Sequence, residues 1–189
     1  MLASVGEVDR RRLVGAMDTI RSVFEGVLPP RAVVLRPPLP GDLGWVVQRH
    51  GALYAAEYGL DATFEALVAR IVADYAASHD PRTEAGWIAE VDGAPVGSIF
   101  CVRADEGVAK LRLLFVEPAA RGMGVGGTLV DECVRFARRA GYREMVLYTQ
   151  DVLLAARRIY QRAGFVLESA TPAFVYGVDV AEEQWRLSL

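Results

Sequence analysis

Hydrophobic residues along this 189-residue chain recur in two rhythms. Leu13, Met17, Ile20, Phe24 and Val27 follow a 4-3-4-3 spacing, which predicts a helix over 7–26 with one apolar seam. Arg10, Arg11, Arg12, Asp18 and Arg21 occupy its other faces. Pro29-Pro30 closes that segment, and Ala32-Val-Val-Leu35 reads as the first strand of a separate unit. The order sets residues 1–30 apart as an appendage and makes 31–189 the main domain. Its first two helices start at capping aspartates. Asp42 precedes Trp45, Val46, Val47, Leu53 and Tyr54, up to Tyr58-Gly59, and Asp61 precedes Phe64, Leu67, Val68, Ile71, Val72 and Tyr75.

The rhythm then changes to that of strands. Gly86-Trp-Ile-Ala-Glu-Val91 turns at Asp92-Gly93 and returns through Val96 to Val102; a second turn near Asp105-Glu-Gly107 leads into Leu111-Arg-Leu-Leu-Phe-Val116. Helical spacing resumes from Thr128 through Val130, Val134, Phe136 and Ala137 and stops at Gly141. A short strand, Met145–Thr149, is followed by the helix around Ala155–Gly164. A strand from Phe165 to about Ser169, an irregular piece and a last strand over 183–188 complete the chain. Three antiparallel strands followed by strand–helix–strand–helix predict an α+β domain, a mixed and mostly antiparallel sheet flanked by helices in three layers.

A hydrophobic content of 52% is ample for one core. No apolar run approaches the ~18 residues of a membrane helix, and the N-terminus lacks the apolar core of a signal peptide, which leads to the expectation of a cytoplasmic protein away from membranes. A net charge of −3 gives no argument for nucleic acid binding. Cys101 and Cys133 fit no redox pair, and with two histidines in the chain no metal site is expected.

The chemistry concentrates between Val116 and Thr128. Pro118 ends a buried strand, and Arg121-Gly-Met-Gly-Val-Gly-Gly127 then leads into a helix. The first N–H groups of a helix lack intrahelical partners and carry the positive end of its dipole, and glycines let a ligand approach the backbone. Met123, Gly124, Val125, Gly126 and Gly127 would offer those groups, with Arg121 as a charge partner. Such a loop suits a pyrophosphate. Gly122-x-Gly124-x-x-Gly127 formally satisfies a dinucleotide fingerprint, with Asp151 near the ~20-residue distance of a ribose-binding acid. The strands that come before it, and the few residues left after it, oppose a dinucleotide-binding sheet.

Arg121-x-x-Gly124-x-Gly126 after Phe115-Val-Glu-Pro118, together with Ala156, Tyr160 and Gly164-Phe165 downstream, resembles the acyl-CoA loop and following helix of the GNAT N-acetyltransferases. The resemblance implies a GNAT fold and acetyl-CoA as cosubstrate, transferred directly to a primary amine of a small molecule or peptide. It places the pantetheine arm beside the backbone of Leu114, Phe115 and Val116, the pyrophosphate on Arg121 through Thr128 including Gly122, and Tyr160 beside the sulfur as the acid. Glu57 is the first candidate for a base. Tyr54, Glu57, Tyr58, Leu60 and Trp87 would line the acceptor groove, a mixed aromatic and acidic set suited to a cationic amine. Where many GNAT proteins have an asparagine bonding the pantetheine, this chain has Leu153. The helix, double proline and domain together are also similar to the acetyltransferase half of fusions with MarR-type regulators, so that the first helix is either a remnant of such a fusion or a homodimer contact. The alternative function is a non-catalytic acyl-CoA-binding or dimerisation module.

Overall fold

The structure is a computed structural model that describes residues 7–25 and 32–189. The first helix, α1 (Glu7–Glu25), forms where the spacing predicts it. Its seam residues Leu13, Met17, Ile20 and Phe24 are exposed, Phe24 to 87%. Val27 and Pro29-Pro30 lie outside the described residues.

The domain then runs β1 (Val33–Arg36), α2 (Asp42–Tyr58), α3 (Ala62–Ser78), β2 (Ala85–Val91), β3 (Ala94–Asp105), β4 (Val108–Val116), α4 (Val125–Arg139), β5 (Glu144–Gln150), α5 (Leu154–Arg162), β6 (Val166–Val175) and β7 (Val178–Ser188). The strands form one sheet in the order β1-β2-β3-β4-β5-β7-β6. Every pairing is antiparallel except β4 with β5. This is the mixed three-layer α+β arrangement that the order of elements predicts.

Period-two alternation assigns the strand residues to two cores. On one face Ile99, Cys101, Ala109, Leu111, Met145 and Leu147 pack with Leu129, Val130, Cys133 and Ala137 of α4 and with Tyr160 of α5. On the other, Ile88 and Phe100 pack with Val46 of α2 and with Val68 and Val72 of α3. Both cysteines are buried and free.

Several boundaries differ from the sequence reading. Asp42 is not the cap of α2. Gly41 is, with φ 100°, while the Asp42 carboxylate accepts from the Leu39 N–H at 2.6 Å and pairs with Arg36. Asp61 does cap α3, accepting from the Thr63 N–H at 2.9 Å. The piece read as irregular after Ser169 is strand. β6 continues to Val175 and turns through Tyr176 and Gly177, both left-handed at φ 54° and 82°, into β7. That stretch lacks alternation because nearly every residue of this sheet edge is exposed, and Pro172 is tolerated there because an edge strand leaves N–H groups unpaired.

The parallel pair is short. Val108, Ala109 and Lys110 pair with Glu144, Met145 and Val146, after which the two strands diverge. Beyond that point β4 carries a bulge, where the register against β3 shifts between Ser98 and Phe100 and Leu113 adopts φ 52°. Ser98, fully buried, donates its hydroxyl to the Leu113 carbonyl at 2.9 Å and holds the bulge. At the end of β4, Arg49 of α2 grips Glu117 through two hydrogen bonds, of 2.5 and 2.9 Å. So the divergence is fixed on both flanks.

His50 sits in the wall of this opening, with its ring 5.7 Å from Tyr54 and 5.2 Å from Phe115. A carbonyl can only accept, so the 2.8 Å contact to the Val46 oxygen makes Nδ1 the protonated nitrogen, and Nε2 is buried with no partner among the described residues. Burial lowers its pKa to about 4. The unfolded chain then takes up a proton near pH 6.5 that the folded one refuses until about pH 4, so stability is full above pH 6.5 and falls as acid is added. Between those limits His50 should account for a loss of about 3 kcal/mol. His50→Met should remove that part of the acid sensitivity, as urea unfolding at pH 7, 5 and 4 would read; parallel pH profiles for the two proteins would refute it.

Candidate active site

Two cavities open where β4 and β5 part. The larger, about 620 Å³, lies between the end of β4, the loop before α4, and α5. Leu114, Phe115 and Val116 form one wall, Arg121, Gly122, Gly124, Val125, Gly126 and Gly127 the floor, and Leu153, Ala156 and Ile159 the far side.

The loop has the geometry its glycines predict. Gly122 and Gly124 are left-handed, both at φ 81°, and Gly124 is the residue from which α4 starts. The N–H groups of Val125, Gly126 and Gly127 therefore form the open first turn of a helix, the end that attracts anions. A Cβ on Gly126 would meet Ile159 Cδ1 at 2.6 Å, so this glycine lets α5 approach α4. A Cβ on Gly127 would meet nothing within 4 Å. That open space belongs to the cavity.

Three expected donor-site residues lie elsewhere. Met123 does not line this cavity, and its N–H is turned to the Ala120 oxygen at 3.4 Å because a tight turn occupies Pro118–Ala120. Thr128 bonds back to the Gly124 oxygen through both its N–H and its hydroxyl, so it too is withdrawn. Tyr160 reaches the second cavity instead.

Arg121 does reach the cavity, and its guanidinium donates to Glu57 at 2.9 Å. Glu57 consequently faces the glycine loop and lines neither cavity. Tyr54 and Tyr58 both line the donor side, their rings 5.5 Å apart. Leu60 is buried, and Trp87 is on the other side of the sheet, packed edge-on against Phe136 of α4 at 5.5 Å. The cause is the pleat: in β2 the neighbouring Ile88 points to α2 and α3, so Trp87 must point away from them. Trp87 does not join the acceptor groove.

The second cavity, about 150 Å³, lies on the α2–α3 side of the opening. Lys110 and Arg112 of β4, Tyr148 and Gln150 of β5, Tyr176 and Glu182 line it, with Phe64, Leu67 and Ile71 from α3. The two cavities share Tyr54, Leu114, Leu153 and Ala156. Burial raises the pKa of Tyr54 and of Tyr160, so both phenols stay protonated. The Tyr54 hydroxyl approaches the Leu114 oxygen at 3.5 Å. Tyr160 packs edge-on against Phe165 at 5.9 Å, and among the described residues its hydroxyl has no hydrogen bond.

Sequence reasoning passed over Lys110, Arg112 and Gln150. A signal was available: two basic residues two apart in an apolar strand fall on one face of the sheet.

Asp151, the residue that a dinucleotide site would need, is committed to the end of β5 beside β7, where its carboxylate accepts from the Ala181 N–H at 2.9 Å. The Acetyltransferase (GNAT) family model matches residues 52–165, more than half of the chain. The chain belongs to this family. An uncharacterized N-acetyltransferase of Schizosaccharomyces pombe is 32% identical over 119 residues, covering 59% of this chain and 69% of the yeast protein. Human N-acetyltransferase 8B is 36% identical over 84 residues, covering 42% of this chain and 37% of its own length. A Salmonella typhimurium protein described as an acetyltransferase, solved with acetyl-CoA, superposes with a TM-score of 0.65 at 21% identity, over 84% of this chain and 94% of that one. The GNAT protein described here is thus an acetyl-CoA-dependent acetyltransferase. Its larger cavity offers an open helix start and the Arg121 cation, which could hold phosphates, beside an apolar wall. Leu153, in the place of the asparagine expected there, lines both cavities and offers no side-chain hydrogen bond. Among the described residues, no group of acidic, histidine or cysteine side chains could hold a metal ion, and no helix is long and apolar enough to cross a membrane.

Gly124→Glu would strain a left-handed backbone and confuse folding with binding. Gly127→Glu is the cleaner variant, because its side chain enters open space. Wild-type protein with acetyl-CoA at ~100 times its dissociation constant should gain about 2.7 kcal/mol, a rise of several degrees in Tm. Gly127→Glu should keep its own Tm within a degree or two but lose most of that rise; a full rise would place the phosphates elsewhere.

Proposed function

We propose that the protein transfers the acetyl group of acetyl-CoA directly to a primary amine, with both substrates bound in one ternary complex. The observation that carries this reading is the junction of the two cavities at Tyr54, Leu114, Leu153 and Ala156. A thioester carried along β4 would end there, and an amine held on the other side could reach its carbonyl carbon. A carbon–nitrogen bond forms, the carbon–sulfur bond breaks, the amine gives up a proton and the departing thiolate takes one. Holding both partners in one geometry supplies much of the rate.

Tyr160 is the proposed acid. Ala156, one turn earlier on the same helix, belongs to the junction, and Tyr160 lines the adjoining cavity. Burial keeps the phenol protonated and makes a lasting phenolate unfavourable, so the proton passes only as the thiolate leaves.

The base is less demanding if the acceptor is weakly basic. A lysine amine near pKa ~10.4 costs about 4.6 kcal/mol to deprotonate at pH 7, whereas a peptide α-amine near ~7.7 costs about 1 kcal/mol. Glu57, tied to Arg121, is better placed to hold that arginine over the glycine loop than to take a proton from an amine on the far side.

Tyr160→Phe tests the assignment. It removes a hydroxyl that makes no hydrogen bond among the described residues and keeps the ring packed on Phe165, so fold and acetyl-CoA stabilisation should persist, while kcat falls by roughly 100-fold, the low end for a general acid. Unchanged turnover would remove Tyr160 from the mechanism.

A further inference from the structure

The second cavity holds two cations that make no ion pair among the described residues. Elsewhere in the domain, cations at half-buried positions have carboxylate partners: Arg36 with Asp42 and Glu90, Arg49 with Glu117, Arg121 with Glu57 and Arg186 with Glu144 and Glu168. Lys110 and Arg112 are exceptions, with no ion pair among the described residues. Lys110 rests over the Tyr148 ring at 4.3 Å. Burial lowers the pKa of both, and in Lys110 the neighbouring Arg112 adds to the effect. The groups whose charge or ionisation would favour the Arg112 cation are Tyr148, Tyr176 and Asp74, and the two tyrosines are ordinarily neutral. Asp74 is thus the one carboxylate acting on Arg112, and it makes no ion pair with it; two partly buried cations left so are costly, and a bound anion would relieve that cost.

Their placement also fits one anion. The two residues are two apart on β4, on the cavity face, with Cα atoms about 7 Å apart at strand rise. Arg112 presents a planar fork suited to two carboxylate oxygens, and Lys110 adds a point charge beside it.

The other end of the cavity has the opposite character. Gln150, only 6% exposed, has its side-chain oxygen buried with no hydrogen-bond partner among the described residues. Its cross-strand neighbour on β7 is Glu182, which also lines the cavity. An unbonded carbonyl oxygen and a carboxylate together want N–H donors. This end adjoins the donor site, since the Leu153 N–H donates to the Gln150 backbone oxygen at 3.0 Å and Leu153 lines both cavities. Lys110, by contrast, occupies the last paired position at the apex of the strand divergence.

Taking the acetyltransferase reading as its basis, we infer that the acceptor is a small amino carboxylate, bound with its amine toward Gln150 and Glu182 and its carboxylate on Arg112 and Lys110. This reverses the cationic acceptor expected from Tyr54, Glu57 and Tyr58. That expectation gave Glu57 a charge which Arg121 takes up. The 150 Å³ volume admits a small amino acid and leaves little room for a peptide.

The test offers the protein acetyl-CoA with a panel of α-amino acids and short ω-amino acids, each beside its carboxamide and its decarboxylated amine. CoA release gives turnover, and calorimetry gives acceptor binding. The free carboxylates should exceed the carboxamides at least roughly tenfold in kcat/KM. Arg112→Gln should lower kcat/KM for the carboxylates roughly 10- to 100-fold and bring the carboxylate-to-carboxamide ratio toward one, with Lys110→Gln a milder second case. Retention of the acetyl-CoA thermal shift in both variants would show that they fold. Carboxamides or plain amines equal to the carboxylates would overturn the inference, as would an Arg112→Gln protein that keeps the preference. An acetyl-CoA shift with no amino acid bound or acetylated would also overturn it, while the donor reading stands. Calorimetric binding of amino acids without any acetyl-CoA shift would support the subsite and count against the donor reading.

Discussion

The parting of β4 from β5 is the constraint on which this molecule depends. Parallel strands in a sheet normally satisfy each other's backbone groups along their length, and here they do so over three residue pairs only. From Leu111 onward β4 keeps β3 on one side and faces open space on the other. A strand edge left open inside a domain is costly unless it is needed. Side chains meet part of the demand: Ser98 donates to the Leu113 carbonyl, and the Tyr54 hydroxyl lies near that of Leu114. The remainder is available to an extended ligand arm.

Everything around the opening acts to keep it open. The left-handed Leu113 at the bulge turns β4 away from β5, and a residue with a Cβ holds that conformation only when its surroundings impose it. Arg49 anchors the end of the strand to α2 through Glu117, and α5, which could close the gap, approaches α4 as far as Gly126 and Ile159 allow. His50, stacked on Tyr54 and tilted against Phe115, fills the wall as a neutral ring. The glycine loop then sits at the mouth, with its first helical N–H groups facing the space that β4 lines.

Charge divides the two cavities as the strands divide the space. Arg121, paired with Glu57, is about half exposed at the donor mouth, where a phosphate can compete for it in water. Lys110 and Arg112 are half-buried and make no ion pair among the described residues, so water compensates them less fully.

Much of this was legible in the chain. The seven strands, the helices between them and the glycine loop follow from local rules: periods of 2 and 3.6, turn residues at Asp92-Gly93, and a cluster of glycines ahead of a helical pattern, although α4 starts at Val125, three residues before the spacing shows it. The floor of the donor cavity, Arg121 to Gly127 apart from Met123, is one continuous segment, so its chemistry is written in one place. What local rules could not give was facing. Trp87 went to the far side of the sheet because the pleat is set by which face α2 and α3 cover, and β6 hid its extent because an exposed edge strand has no alternation to read. The second cavity was hidden for the same reason: it gathers Lys110, Gln150 and the pair Tyr176 and Glu182 from three distant stretches, and whether a cation there finds a carboxylate depends on which side chains the fold brings within 4 Å. The sequence by itself determined the elements and the donor loop, because those rest on neighbours along the chain. Only the tertiary structure decided which polar groups face one another across the gap between β4 and β5, because that depends on strand register and helix placement over more than seventy residues of separation.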